Sequence, residues 1–508
     1  MKTKIIPVLS LLLGLLCASC AREVMVPADF SDAEEPVKIY PDYRDITVPP
    51  NIAPLNVMVQ TEAAEYVMSI EGVEGSSLVA GAEADGKVSF EPGAWRDLLE
   101  QNRGKELRFS VYAQGKDNRW QRYPAYSIRV AEEPIDSFLS YRLLEPSYEL
   151  YRQLGLYQRN LTNFDVTTIY ENNRQFEDDN NHCVNCHNYQ AYSTENMLFH
   201  VRAKHGGTVF VHDGKARKVN LKTDSILSGC VYPTWHPEKP WVVFSSNKTG
   251  QVFHMTDHQK VEVVDYGSDL VFYDVEKNEL SNILRTGDTM ETFPCWSPDG
   301  RKLFYCSATT PQFAGVADSV ATNLIIHLYD SVRYNLMSMD FDPATRMFST
   351  PKVEMDCAAR GMSASVPRVS PDGRYVLFTL GSFGQFHIWH KSSDLYVKDL
   401  QTDSIYRLDR TNSDDVDSYH SWSSNGRWMV FSSRRDDGSY TRPYIAYFDK
   451  QGRGQKAFLL PQEDPEENLL LTKSYNVPEL TRDAVRTTKE QLREVIYADD
   501  KAEKVVYK

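Results

Sequence analysis

The stretch 293–300 reads Phe-Pro-Cys-Trp-Ser-Pro-Asp-Gly, and it is followed by the apolar run Lys302–Ser307. A strand ending on Trp296 meets Pro298, which pre-sets φ for a tight turn. Asp299-Gly300 then supplies the positive-φ residue from which a second strand starts. The same outline returns three times. Tyr232-Pro-Thr-Trp-His-Pro precedes Trp241–Ser246, Val366-Pro-Arg-Val-Ser-Pro-Asp-Gly precedes Tyr375–Thr379, and Tyr419-His-Ser-Trp-Ser-Ser-Asn-Gly precedes Trp428–Ser433. Each copy continues into a further strand closed by aspartate: Asp269–Asp274, Asn335–Asp340, Asp394–Asp399 and Tyr444–Asp449.

From Trp235 to Trp296, Val369 and Trp422 the steps are 61, 73 and 53 residues. A bare four-stranded blade needs about 40–45, so loops are inserted between units. The repeat predicts an all-β fold, a β-propeller of five or six blades over 196–480 whose ring closure protects the strand edges. A hairpin, Thr208–Val211 and Ala216–Leu221 around Asp213-Gly214, predicts part of a fifth blade, and a strand near Asn468–Thr472 would complete a sixth. Trp235, Trp296 and Trp422 are expected in blade cores. The W-S-P-D-G turn followed by a strand ending near F-x-S resembles the repeat of TolB-like propellers, a likeness covering Tyr232 to Asp449 that speaks to fold and not to chemistry.

Upstream, residues 46–135 carry period-2 strand signals at Leu55–Gln60, Tyr66–Glu71, Lys87–Phe90, Leu107–Tyr112 and Tyr123–Val130, with a turn or two of helix near Trp95–Gln101. They predict a small immunoglobulin-like or fibronectin-like β-sandwich serving as spacer or docking module. The polar, acidic segment 21–45 reads as a tether. Residues 136–195 are aromatic without clean alternation and read as a linker carrying the chemical motif, while 481–508 predict a C-terminal helix around Thr488–Val495 and an exposed charged tail.

That motif is Cys183-Val-Asn-Cys186-His187, the C-x-x-C-H pattern of haem c attachment. Two thiols must add to two vinyl groups of one porphyrin, and the adjacent imidazole must reach the iron. With 8 Cys and 12 His in 508 residues, chance supplies roughly 0.003 such matches. Two alternatives stay open. The thiols with His187 and a second imidazole such as His182 would make a zinc site, and a bare C-x-x-C would serve as a redox dithiol. For an iron carrying a second axial ligand, Met197, His200, His205, His254 and His258 are candidates. His200 is favoured, with Arg202 placed to pair with a haem propionate.

The first twenty residues set the compartment. Lys2 and Lys4, an apolar run from Ile5 to Leu16, and Cys17-Ala-Ser-Cys20 predict an export signal. The pattern resembles a bacterial lipoprotein signal, which implies lipidation at Cys20, membrane attachment through that lipid, and a place in the cell envelope at the outer membrane. A net charge of −14 without any basic run argues against nucleic acid as a partner. Cys230, Cys295, Cys306 and Cys357 could form two disulfides or stand as isolated buried thiols.

The combination of C-x-x-C-H with this propeller resembles a family of exported Bacteroides-type lipoproteins and, more distantly, the hydrazine synthase alpha chain. Only one C-x-x-C-H is present, so hydrazine synthesis is not implied. The resemblance implies one covalent haem c engaged in electron transfer to a redox protein partner, or in small-molecule redox chemistry. Oxidoreductase is then the only enzyme class in view. The alternative is a non-redox propeller lipoprotein that binds a protein or glycan, with Cys183, Cys186 and His187 structural or zinc-binding. No G-x-S-x-G elbow or H-E-x-x-H helix supports a hydrolase.

Overall fold

A computed structural model describes residues 24–145, 154–172, 182–254 and 261–508. The leader 1–20 with Cys20, the approach Glu177–Asn181 to the motif, and His258 lie outside the described residues.

Six sheets form a β-propeller. Blade one contains His182–Gln190, Ser193–Ala203, Gly207–His212 and Lys215–Asn220; blade two Cys230–Trp235, Trp241–Phe253, Val261–Asp274 and Glu279–Leu284. Blade three is built from Thr289–Trp296, Lys302–Thr309, Asn335–Asp342 and two short outer strands, and blade four from Ser363–Val369, Tyr375–Gly381, Asp394–Asp399 and Ile405–Arg407. Blade five holds Asp417–Trp422, Trp428–Ser433, Arg442–Tyr447 and Phe458–Leu459. In blade six the C-terminal strand Ser474–Thr481 pairs as innermost strand with Phe138–Leu144, which continues to Leu154–Asn160 and Val166–Glu171. The first strand of each blade neighbours the next, and Ser474–Thr481 neighbours His182–Gln190, so the ring closes by joining the two ends of the propeller chain.

Every innermost strand carries the same irregularity. Cys186, Tyr232, Phe293, Val366, Tyr419 and Val477 all have φ between 48° and 52°, each inside a register shift. A bulge of this kind leaves one residue out of the ladder and re-aims its side chain. The residue after it is Pro233, Pro294, Pro367 or Pro478 in four blades and His187 or His420 in the other two. Proline is tolerated there because a bulge needs no ladder donor. The x-Pro-x-Trp signature is therefore the sequence of a bulge. Gly300, at φ 65°, supplies the turn that follows, and a Cβ there would lie 2.3 Å from the His236 ring. Trp235, Trp296 and Trp422 are buried between the blade faces as expected.

Four boundaries differ from the sequence reading. Phe138–Leu144, Leu154–Asn160 and Val166–Glu171, within the stretch 136–195 expected as a linker, are three strands of blade six. Runs of consecutive buried residues, as at Leu139–Tyr141 and Leu154–Leu156, hide the period-2 pattern by which strands are read. The motif itself lies on the innermost strand of blade one and not in a linker. The sixth-blade strand is Ser474–Thr481, whereas Glu467–Leu470 is a helical turn. The tail is not wholly free, since Glu503–Lys504 and Val506–Tyr507 add parallel edge strands to blades one and two. The C-terminal helix is present at Lys489–Tyr497, started by a Thr488 and Gln491 capping box.

The N-terminal unit pairs a seven-stranded sheet with a three-stranded one, Ile39–Tyr40, Val57–Val59 and Lys87–Val88. Ser31–Asp32 and Ile39–Tyr40 belong to these sheets, so the chain expected as tether is partly sheet edge, held by Arg122 to Asp32 at 2.7 Å. Its helix, Pro92–Gln101, buries Trp95, Leu98 and Leu99. The core of this unit is continuous with Trp428, Val430, Ile445, Tyr475 and Leu480 of blades five and six. Trp428 donates Nε1–H to the Glu133 carbonyl at 3.1 Å across the junction.

All six described cysteines are free thiols; Cys230, Cys295, Cys306 and Cys357 are buried, the last three in one cluster.

Candidate functional site

The channel end of the propeller at which the innermost strands start opens into a cavity of about 1010 Å³, lined in part by Cys183, Cys186, His187, His200 and Arg202. Five residues read from the sequence thus come together on one surface. Strand pairing explains part of this. Cys183 stands opposite Arg202 and Asn185 opposite His200, so the two candidates from Ser193–Ala203 share a face two residues apart.

Cys186 is the bulge residue of blade one, half-buried and level with the aromatic residues that collar the channel. Tyr232 and Phe293 have ring centroids 4.1 Å apart, Phe293 and Tyr419 6.2 Å, and Tyr419 and Phe386 5.7 Å. Cys183 is buried, and burial raises its thiol pKa. A reactive redox thiol has a depressed pKa, the opposite of the direction at Cys183.

His187 is fully enclosed. Burial, then the nearby Arg142 charge, lowers its pKa to about 4, so the ring is neutral at pH 7. The backbone of Val477 and Ser140 lies within bonding reach of the ring, which makes no well-aligned hydrogen bond to either. His200 is lowered to about 3 by burial and by Arg202. Its Nδ1 meets Thr208 Oγ1 at 2.8 Å, which leaves Nε2 unpartnered. Neutral imidazoles with an unpaired nitrogen are in the form that binds metal.

The other candidates go elsewhere. Met197 is buried in the core of blade one. His205 Nδ1 contacts Asp499 at 2.8 Å, and His254 packs on Tyr329. His182 turns to the opposite face of the strand, where it meets Tyr170 Oη at 2.7 Å and the Tyr497 ring. Among the described residues no three His, Cys, Asp or Glu side chains converge closely enough to hold a metal ion. The zinc alternative through His182 therefore lacks its ligand set.

Whether these residues suit a haem is decided by their donor set. Cys186, Arg142 and Arg202 line one large cavity with an aromatic wall, Cys183 borders it from the same buried cluster as Met197, and His187 borders it from the blade junction. That set fits a thioether-bound porphyrin with anionic propionates.

Three cavity neighbours escaped the sequence reading. Arg142 reaches the site from blade six. Glu479 lies half-buried two residues beyond Val477 and accepts from the Tyr189 N–H and Asn188 Nδ2, both at 3.2 Å; desolvation pushes it up to about 7 against the pull of Arg368. Arg368 occupies the same step of its own strand. Aligning the six bulges would have exposed both, since each stands two residues after the positive-φ position. Asp265, beside the mouth, is pushed up to about 6 by burial while bonding Asn247 at 2.6 Å and Thr249 at 2.7 Å.

No protein-family model matches the chain, and comparison with curated proteins finds no match. Solved structures do match. TolB from Acinetobacter baumannii is 12% identical with a TM-score of 0.42, over 74% of this chain and 78% of that one. The β-propeller domain of the Trilobed protease from Pyrococcus furiosus is 10% identical with a TM-score of 0.32, over 80% and 98%. A putative 6-phosphogluconolactonase from Bacteroides fragilis is 10% identical with a TM-score of 0.29, over 65% and 97%. The β-propeller is read from the chain's own sheets. Its chemistry rests on its own residues.

Proposed function

We propose that this chain is an exported, lipid-anchored haem c protein of the cell envelope that performs one-electron chemistry at a single covalent haem, with the propeller as docking scaffold for a redox partner. The observation that carries the reading is His187. Its ring is buried, neutral and without a well-aligned hydrogen bond on either nitrogen, and it borders the cavity that also holds Cys183 and Cys186. An unpaired buried imidazole nitrogen costs about 1–3 kcal/mol, a cost that a ligand on it would offset.

The haem, when bound, supplies a reversible one-electron couple. The chain's own residues do the rest. Cys183 and Cys186 provide the two sulfurs, His187 the proximal nitrogen, and Arg142 and Arg202 positive charge for carboxylates. His200 offers a second unpaired nitrogen on the same cavity. The collar of Tyr232, Phe293 and Tyr419 walls the site from water in the channel. Cys20 would carry the lipid.

A second reading has an observation of its own. His420 takes the equivalent position in blade five with only a structural partner, the Leu377 carbonyl at 3.0 Å. On that reading Cys-His at 186–187 is a variant bulge in a non-redox propeller that binds a protein or glycan. The experiment that separates them is expression of the full chain in a host that matures haem c, followed by denaturation, in-gel peroxidase staining and a reduced α-band measurement. Covalent haem lost in Cys183→Ala and Cys186→Ala supports the first reading, and no haem in the folded wild type establishes the second. Carbon monoxide added to the reduced protein then reports whether His200 closes the sixth position.

A further inference from the structure

The aromatic collar of the channel carries two polar atoms that the haem reading leaves idle. Tyr419, the bulge residue of blade five, is 7% exposed, and its Oη is buried without a hydrogen-bond partner. Asn247, on the second strand of blade two, is 8% exposed, and its Oδ1 is likewise unbonded. Both residues line the cavity. The Asn247 amide is not free to turn. Its Nδ2 donates to Asp265 Oδ2 at 2.6 Å and to Thr292 Oγ1 at 3.3 Å, and a carboxylate only accepts, so Oδ1 is the atom left over. A buried acceptor without a donor costs free energy until one arrives.

One ring links the two residues. The Thr292 hydroxyl that meets Asn247 precedes Phe293, whose ring packs edge-on to Tyr419 at 6.2 Å and 88°. Phe386 meets Tyr419 at 5.7 Å and 72°, Trp389 meets Phe386 at 5.3 Å and 71°, and Tyr232 leans on Phe293 at 4.1 Å. These five rings belong to one packed cluster, and all border the cavity. Rings crossed near right angles present both faces and edges, the geometry in which a further aromatic ring packs.

We propose that the collar is a binding site for a small phenol, its ring packed against Phe293, Tyr419 and Phe386 and its hydroxyl donating to Asn247 Oδ1, with Tyr419 Oη bonded to the same ligand. An aromatic wall with a few fixed polar atoms is the usual make-up of a small-molecule site. A sugar suits it less, because a sugar carries a hydroxyl on most of its carbons and each one shut away from water needs a partner. Cys183, Cys186 and His187 take no part in these contacts, so binding here does not rest on the haem reading.

The test titrates the full chain, isolated from the host that matures haem c, with phenol in a calorimeter. Saturable one-site binding is expected. Anisole has the same ring but no O–H to give, and it should bind at least about tenfold more weakly because Asn247 Oδ1 is then left unpaired. Asn247→Ala and Tyr419→Phe are each expected to weaken phenol at least about fivefold. Tyr419→Phe removes only an unbonded hydroxyl, so its Tm should not fall, and it keeps the test standing if Asn247→Ala does not fold. No phenol binding by the folded wild type overturns the proposal, as do anisole binding equal to phenol and an affinity unchanged in Tyr419→Phe. Glucose bound in place of phenol also overturns it, in favour of a sugar face on the collar. Covalent haem is scored separately by peroxidase staining, so the failure of one reading is distinguishable from the failure of the other.

Discussion

His187 and His420 occupy one slot in two different blades. Each follows a positive-φ residue, Cys186 at 52° and Tyr419 at 50°. Each turns its ring to the preceding blade, His187 toward Ser140 and Val477 and His420 toward Leu377 and Val366. Only His420 completes a bond there, from Nε2–H to the Leu377 carbonyl at 3.0 Å. The slot is structural in origin, and the ring in blade one lacks the aligned bond that its counterpart in blade five makes.

Because four blades place proline in this slot, His187→Pro is expected to fold with a cost within about 1 kcal/mol while carrying no axial nitrogen. His420→Ala loses a buried hydrogen bond and is expected to cost about 1–3 kcal/mol. Urea denaturation of the two variants checks the contrast, and equal large losses would mean that His187 is bonded like His420.

Ring closure depends on the last blade strand. Truncation after Lys473 removes Ser474–Thr481, the innermost strand of blade six, leaves the edge of Phe138–Leu144 unpaired and uncovers the side of His182–Gln190 that it packs against. Such a chain is expected to aggregate. Removing 503–508 deletes two short edge strands and should leave solubility intact with a small loss of stability. Size-exclusion chromatography distinguishes the outcomes.

Trp428 joins the sandwich to the propeller, with its ring buried and Nε1–H bonded to Glu133 O. Trp428→Ala is expected to cost about 3–5 kcal/mol, whereas Trp428→Phe keeps most of the packing and forfeits the bond at about 1–2 kcal/mol. Differential scanning calorimetry of Trp428→Ala should show the single transition split into two if the shared core is what couples the units.

Acid should unfold the apoprotein steeply. His187 is held at about 4, and His200, His387 and His420 at about 3, all chiefly by burial. Groups with depressed folded pKa contribute stability above their unfolded value near 6.5. That contribution is lost as pH falls through the folded values, at up to about 1.4 kcal/mol per pH unit for each histidine. Glu479, raised to about 7, runs the other way: its contribution is full below its unfolded value and is lost as pH rises toward 7. Glu479→Gln should therefore gain more stability relative to wild type at pH 8 than at pH 5, as read from urea midpoints.

Much of the fold was written locally. A tight turn needs Asp-Gly or Asn-Gly, and a bulge welcomes proline, so Phe293–Gly300 and its copies announce a repeated β unit through neighbouring residues alone. The C-x-x-C-H spacing of Cys183, Cys186 and His187 is likewise local, and it is the spacing on which the proposed haem attachment rests. Tertiary structure decided the rest. Strands 138–171 and 474–481 come from opposite ends of the propeller chain and become one blade only when the ring closes, a pairing that no local pattern encodes. Closure also brings Arg142 and Glu479 to the motif, and it turns the strand so that His187 enters the blade junction while Cys186 faces the channel. Those placements depend on which surfaces exclude water together, and that is settled only when all six sheets are packed.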